Sequence, residues 1–191
     1  KTVRAGIKAI AAAGGGVVLV LLLALPLLAA VVSLSPAGIV ADGRTVEPTG
    51  AALEAWERLP EDLSVERRMV VTYALALVDK VDYFWGGKSL VLGWDDRWGE
   101  MMEVTAVYNA SGGSYIPGQG GGAAAQHGQC ADIPWEEVQP GDLVFYPEDD
   151  HVGIAAGRDG QGRLLVVHCA AGAGGVTLSC SNGFTQAARP G

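Results

Sequence analysis

Cysteine, histidine and positive charge are all scarce in this sequence. It holds three cysteines and three histidines in 191 residues, and no cysteine precedes Cys130. These residues do not have the spacing of a zinc site, so we predict no metal and no cofactor. The net charge of −8 excludes the basic face that a nucleic-acid partner requires. An odd number of cysteines leaves at least one thiol unpaired, and we expect one disulfide and one free thiol.

Charged residues are also absent from residues 9–41. As a helix, residues 9–32 would extend about 36 Å, which exceeds a hydrocarbon core of about 30 Å. Basic residues in the segment 1–8 predict that this end is cytoplasmic. A cleaved signal peptide is the alternative, but its apolar region commonly has only about 7–15 residues. We therefore predict a single transmembrane helix at 9–33, with the rest of the chain outside the cell.

Composition divides the remainder of the chain in two. Residues 34–62 are rich in proline and glycine, which predicts an extracellular linker with a short helix inside it. Residues 63–191 form the predicted globular domain. Ser64 is a good N-cap, and apolar residues recur at helical spacing over residues 65–78, which predicts a core helix.

Two histidines stand at the ends of predicted strands. Residues 144–146 are β-branched and aromatic, residues 147–150 form an acidic turn, and His151 opens the next apolar run. His168 follows a further apolar run. If the two strands are neighbours, both rings lie on one face at one end of the sheet, as a catalytic base and its orienting group do. The acidic turn is expected to stabilise the imidazolium form of His151. The plainer interpretation is that these are half-exposed surface histidines.

Four blocks of the sequence, in the same order, resemble the NlpC/P60 family of papain-like cysteine peptidases from bacterial cell walls. They are YFWGG at 83–87, PGDLVFY at 140–146, HVGI at 151–154 and VH at 167–168. The similarity covers residues 63–190. It implies an α+β fold in which helices pack on a small antiparallel sheet, and hydrolysis of amide bonds in peptidoglycan stem peptides.

The resemblance also assigns roles to individual residues. It implies that His151 is the base, that His168 orients the base, and that Tyr83 lies beside the nucleophile. Residues 86–95 are similar in particular to membrane-anchored members carried by Gram-positive conjugative elements. Stem peptides, a bacterial cell membrane and conjugation or secretion proteins are the partners that this similarity implies.

The sequence departs from the family at the nucleophile. The family uses the cysteine of an Asp-Cys-Ser-Gly motif at a helix N-terminus, where the helix dipole and a nearby imidazolium lower the thiol pKa. Residues 101–105 resemble the family sequence before that motif, and residues 107–111 resemble the sequence after its helix. The block between them is absent. Cys169 does not replace it, because in a strand its side chain points away from the face of His168.

Two functions stay open on this basis. The first is a membrane-anchored peptidoglycan hydrolase that opens the wall for conjugation or remodelling. The second is a catalytically inactive relative that binds wall peptide or scaffolds a secretion complex.

Overall fold

The structure is a computed structural model that describes residues 39–41, 44–83, 85, 93–95, 99–101, 107 and 121–191. These residues all belong to one unit that spans residues 38–191. The predicted membrane helix at 9–33 and most of the interval that lacks the motif lie outside them. Among the described residues, no helix is long and apolar enough to cross a bilayer.

A six-stranded antiparallel sheet lies at the centre of the described part of the chain, in the order β5–β10–β6–β7–β8–β9. Its strands are β5 (Ala131–Asp132), β6 (Leu143–Phe145), β7 (Val152–Arg158), β8 (Leu164–Ala170), β9 (Gly175–Cys180) and β10 (Gln186–Arg189). Two short hairpins accompany it: β1 (Ile39–Ala41) with β2 (Arg44–Val46), and β3 (Gly93–Asp95) with β4 (Gly99–Met101). The helices are α1 (Gly50–Glu57), α2 (Val65–Ala76) and α3 (Ala123–His127). The α+β class predicted from the sequence is confirmed.

Helices α1 and α2 cover one face of this sheet. Helix α2 begins after Ser64 as predicted, because the Ser64 hydroxyl accepts a hydrogen bond from the Arg67 amide at 3.3 Å. The apolar side of α2 packs with sheet residues such as Phe145 and Ile154, and each such buried side chain contributes about 1.5–3 kcal/mol. Ala52 and Ala55 of α1 join the same core, so the packed unit includes residues of the predicted linker.

The opposite face of the sheet carries a second, smaller core. Side chains alternate between the two faces along a strand, so Val144, Ala155 and Val166 point away from the helices. They pack with Phe184 and Ala187. Both histidines singled out in the sequence lie on this second face, as shown below.

Asp142 of the PGDLVFY block is a structural anchor. Its carboxylate is fully buried and accepts hydrogen bonds from Arg67 of α2 at 2.9 Å and from Arg189 of β10 at 2.8 and 2.9 Å. The backbone N–H of Gln139 donates a further bond at 2.8 Å. Burial acts to raise the Asp142 pKa, but the bonds from Arg189, Gln139 and Arg67 outweigh it and hold that pKa below its usual value. The carboxylate therefore links α2 and β10 to the residue that precedes β6 through these hydrogen bonds.

Candidate active site

His151 and His168 meet on the second face of the sheet. Nε2 of His151 lies 2.8 Å from Nδ1 of His168, and the rings stand edge to face with centroids 5.0 Å apart. The prediction that the two rings share one face and come within hydrogen-bond reach is confirmed. His168 lies inside β8 rather than after it, because the strand continues to Ala170.

Gly153 makes this contact possible. Ile154 pairs with Val167 in the ladder between β7 and β8, so Gly153 comes to face His168. A Cβ atom at residue 153 would lie 2.4 Å from Cγ1 of Val166 and 3.2 Å from Cβ of His168. Since the Val166 side chain is β-branched and stiff, it has little room to yield. The glycine of the HVGI block therefore allows the strands that carry the two histidines to approach.

Ser179 extends the pair into a chain of three polar side chains. Nε2 of His168 lies 2.8 Å from Oγ of Ser179, and the Ser179 hydroxyl donates to the Cys180 carbonyl at 3.1 Å. Thr177 pairs with His168 in the ladder between β8 and β9, so Ser179 is its diagonal neighbour on the same face. Ser179 could not be predicted from the sequence, because its relation to His168 becomes visible only when the register is known.

Two aromatic rings enclose the histidine pair. Phe184 is 4% exposed, and its ring centroid lies 5.3 Å from that of His168 and 5.7 Å from that of His151. The Tyr146 ring lies 4.9 Å from His151. These rings shield the pair from water and limit the orientations that each imidazole can adopt. Neither Phe184 nor Tyr146 was predicted from the sequence to lie at the site.

Both histidines are neutral at neutral pH. Burial, together with the nearby His151, lowers the pKa of His168 from 6.5 to about 4. Burial also lowers the pKa of His151, although the Asp150 carboxylate acts in the opposite direction. The acidic turn does act to stabilise the His151 imidazolium, as expected, but desolvation is the larger effect and the net pKa is lowered. A neutral His151 retains the lone pair that a general base needs.

The stability of the fold is expected to fall on mild acidification because of His168. Below its usual pKa of 6.5 the unfolded chain binds a proton there, whereas the folded chain does not until about pH 4. From about pH 7.5 to about pH 5, this difference lowers the free energy of unfolding by about 2 kcal/mol. Urea unfolding at the two pH values measures it, with His168→Gln as the matched variant that cannot titrate. An equally steep loss in that variant would contradict the assignment to His168.

The third histidine belongs to a different cluster. Nδ1 of His127 lies 2.8 Å from an Asp149 carboxylate oxygen, and Nε2 lies 3.0 Å from Asp132. The His127 ring also stacks on Phe145, with centroids 4.1 Å apart. This cluster ties the turn before His151 to α3 and β5. In the part of the chain that the structure describes, no group of His, Cys, Asp and Glu side chains is arranged to hold a metal ion.

All three cysteines are described, and the structure holds each of them as a thiol. The expected disulfide is therefore corrected. Cys169 and Cys180 are too far apart to form one. Cys169 pairs with Val176 of β9, and Cys180 lies four residues beyond Val176, which is about 13 Å along the strand. A disulfide requires the two Cα atoms to lie within about 7 Å.

None of these thiols is a candidate nucleophile for His151. Cys169 packs in the core on the helix-covered face, as the sequence predicts for a residue next to His168. Cys180 follows Ser179 in β9, so its side chain points away from the face of the histidine pair. Burial, with the Asp132 and Asp142 carboxylates nearby, raises the pKa of Cys130 to about 11, which keeps that thiol protonated and unreactive.

Tyr83, the predicted neighbour of the nucleophile, is placed by the backbone. Its amide donates to the Gly174 carbonyl at 2.9 Å, which fixes it beside the hairpin of β8 and β9. Within the described residues it forms no hydrogen bond or ring contact with either histidine. The structure therefore brings together His151 and His168 but not Tyr83, and the Asp-Cys-Ser-Gly interval falls mostly outside the described residues.

Comparison with solved structures identifies the fold. The P60 domain of an antigen from Mycobacterium avium paratuberculosis matches with a TM-score of 0.50 at 16% identity, over 74% of this chain and 99% of that chain. The peptidoglycan hydrolase RipB from Mycobacterium tuberculosis has a TM-score of 0.47 at 25% identity, over 75% of this chain and 73% of that chain. RipD from the same organism, described as a non-catalytic NlpC/p60 domain protein adapted to peptidoglycan binding, has a TM-score of 0.48 at 17% identity, over 66% and 98%. No protein-family model and no curated protein matches the chain. The chain has the NlpC/P60 fold, as its sequence blocks predict.

Proposed function

We propose that the domain is of the peptidoglycan hydrolase type and that, with the sequence as it stands, it binds a stem peptide without cleaving it. A fold alone does not define a function, so the proposal depends on the site. The observation that carries it is the 2.8 Å contact between His151 and His168 on the second face of the sheet. This is the base half of a cysteine-peptidase site, with His168 as the group that orients the base.

The absence of a suitably placed thiol nucleophile is the reason why we propose binding without cleavage. A cysteine peptidase needs a thiol that can transfer its proton to the base. The side chains of Cys169 and Cys180 point away from the face of His151, and the pKa of Cys130 is raised. A wall peptide that reaches this site would meet a base without a nucleophile, and would be held rather than cut.

The same proposal places the domain outside a bacterial cell, anchored by residues 9–33, with conjugation or secretion proteins as further partners. The uncharged segment and the similarity of residues 86–95 to anchored family members support this placement. The full chain is then expected to sediment with membranes and to need detergent for release. Its recovery, unprocessed, in the soluble fraction would contradict the anchor.

Binding is tested with the full chain in detergent and insoluble purified peptidoglycan. The chain is expected to sediment with the wall and to be displaced by soluble stem peptides, but not by glycan chains that lack peptides. His151→Trp, which fills the site, should abolish sedimentation, whereas Glu54→Gln on the exposed side of α1 should not. Displacement by peptide-free glycan, or equal binding of the His151→Trp variant, would contradict a peptide site at the histidine pair.

A further inference from the structure

We infer that Ser179 is a positioning residue that sets the proton positions on both histidines and leaves Nδ1 of His151 as the basic atom of the site. This inference deepens the proposed function, because it names the atom to which a nucleophile or a substrate proton must be presented. It depends on the chain of contacts from the Cys180 carbonyl through Ser179 and His168 to His151.

The first step is the direction of the bond between Ser179 and His168. A serine hydroxyl has one hydrogen, and we assign it to the Cys180 carbonyl, 3.1 Å from Oγ, because a carbonyl oxygen can only accept. Oγ of Ser179 therefore meets Nε2 of His168, 2.8 Å away, with a lone pair. With this assignment, Nε2 of His168 carries a hydrogen and donates it to Ser179.

The second step follows from the neutrality of His168. A neutral imidazole has one N–H group, so a hydrogen on Nε2 leaves Nδ1 of His168 with a lone pair. The burial that lowers the His168 pKa to about 4 keeps this form at neutral pH. Nε2 of His151, 2.8 Å from that Nδ1, must then be the donor.

The third step concerns His151 itself. With its hydrogen on Nε2, neutral His151 presents the lone pair of Nδ1. When Nδ1 takes up a proton, Nε2–H continues to donate to His168, so the orientation of the ring is the same before and after proton transfer. The reverse arrangement, with a hydrogen on Nδ1 of His168, would place the His151 hydrogen on Nδ1 and remove the base. The hydrogen bond that Ser179 accepts from Nε2 of His168 disfavours that reverse arrangement.

Nuclear magnetic resonance of the histidine side chains tests the inference directly. The full chain, labelled with ¹⁵N-histidine and held in detergent micelles, reports through long-range ¹H–¹⁵N correlations which ring nitrogens carry hydrogen at neutral pH. We expect hydrogen on Nε2 and none on Nδ1 in both His151 and His168. A hydrogen on Nδ1 of either residue in the unmodified chain overturns the inference, whatever the variants do.

Two variants of Ser179 and one control variant test whether the Ser179 hydroxyl sets the proton positions on the histidines. Ser179→Ala removes the acceptor, so we expect mixed proton positions on His168 and a titration midpoint of His151 that falls by about one pH unit, the worth of one buried hydrogen bond. Ser179→Thr retains the hydroxyl and should preserve the unmodified pattern. Thr177→Val removes a hydroxyl from the same face of β9 and should also preserve it. An unmodified pattern in Ser179→Ala, a lost pattern in Ser179→Thr, or a matching loss in Thr177→Val overturns the inference.

This readout is independent of the proposed function. Proton positions are measured on the unliganded chain, so failure to bind wall peptide would contradict the proposed function and leave the role of Ser179 intact. Conversely, a chain that binds wall peptide at the histidine pair but carries hydrogen on Nδ1 of His168 retains the proposed function and overturns only the role of Ser179.

Discussion

Replacing Asp142 with asparagine is expected to lower the free energy of unfolding by about 3–5 kcal/mol, because it leaves two arginines without their shared carboxylate. The carboxylate is fully buried and receives three hydrogen bonds from Arg67 and Arg189 together. The asparagine amide has nearly the same shape, but its NH₂ group would face a guanidinium N–H where an oxygen now accepts. Removal of the charge thus adds a repulsive contact to the loss of attraction.

Urea unfolding of the full chain in detergent measures this loss. The matched control is Glu54→Gln, which makes the same acid-to-amide change in the exposed pair of Glu54 and Arg58, 3.3 Å apart. That change should alter the free energy of unfolding by about 0.5 kcal/mol or less. Equal effects of the two substitutions would show that burial of the Asp142 carboxylate does not matter.

The histidine pair could be predicted from the sequence because each residue lies beside a strand that local pattern reveals. Alternation and turn residues located β6, β7 and β8, and short antiparallel connections make such strands neighbours. The face shared by His151 and His168 then follows from the two-residue period of a strand. Cys169 was placed on the opposite face by the same rule, and the structure confirms it.

Ser179 and Phe184 could not be predicted because their positions depend on geometry that local pattern does not define. Ser179 meets His168 through the register between β8 and β9, which depends on the tight turn at residues 171–174. Phe184 reaches both rings from a loop before β10. The lowered pKa of His151 could not be predicted for a related reason: the sequence shows the neighbouring carboxylates but not the burial that outweighs them.

The burial of helix α1 against the rest of the domain is not evident from the composition of the segment. Proline and glycine around it predict a linker, yet Ala52 and Ala55 are almost completely buried against α2 and the sheet. Alanine side chains are small enough to allow close approach of a helix, and they carry little hydrophobic signal in a short segment. The sequence predicts the short helix itself, but its packing becomes recognisable only through the surface that it contacts.

The largest effect that we expect concerns catalysis. The full chain in detergent should release no new amines from purified peptidoglycan, because His151 has no thiol from which to take a proton. His151→Ala should then change the background rate little, since a base without its nucleophile contributes almost nothing. Insertion of a helix that begins with Asp-Cys-Ser-Gly between Thr105 and Val107 should raise amine release by about 10³-fold or more, and iodoacetamide should abolish the gain.

The same insertion with alanine in place of its cysteine is the matched control, and it should remain inactive. In the active insertion variant, His151→Ala should remove most of the gain. That loss would show that the gain depends on His151 as the base and not only on the inserted helix. The outcome that would contradict an inactive chain is hydrolysis by the unmodified protein together with its loss in one of Cys130→Ala, Cys169→Ala or Cys180→Ala. Such a result would require that thiol to leave its present position and reach Nδ1 of His151, and the side-chain directions of β8 and β9 argue against that movement for Cys169 and Cys180.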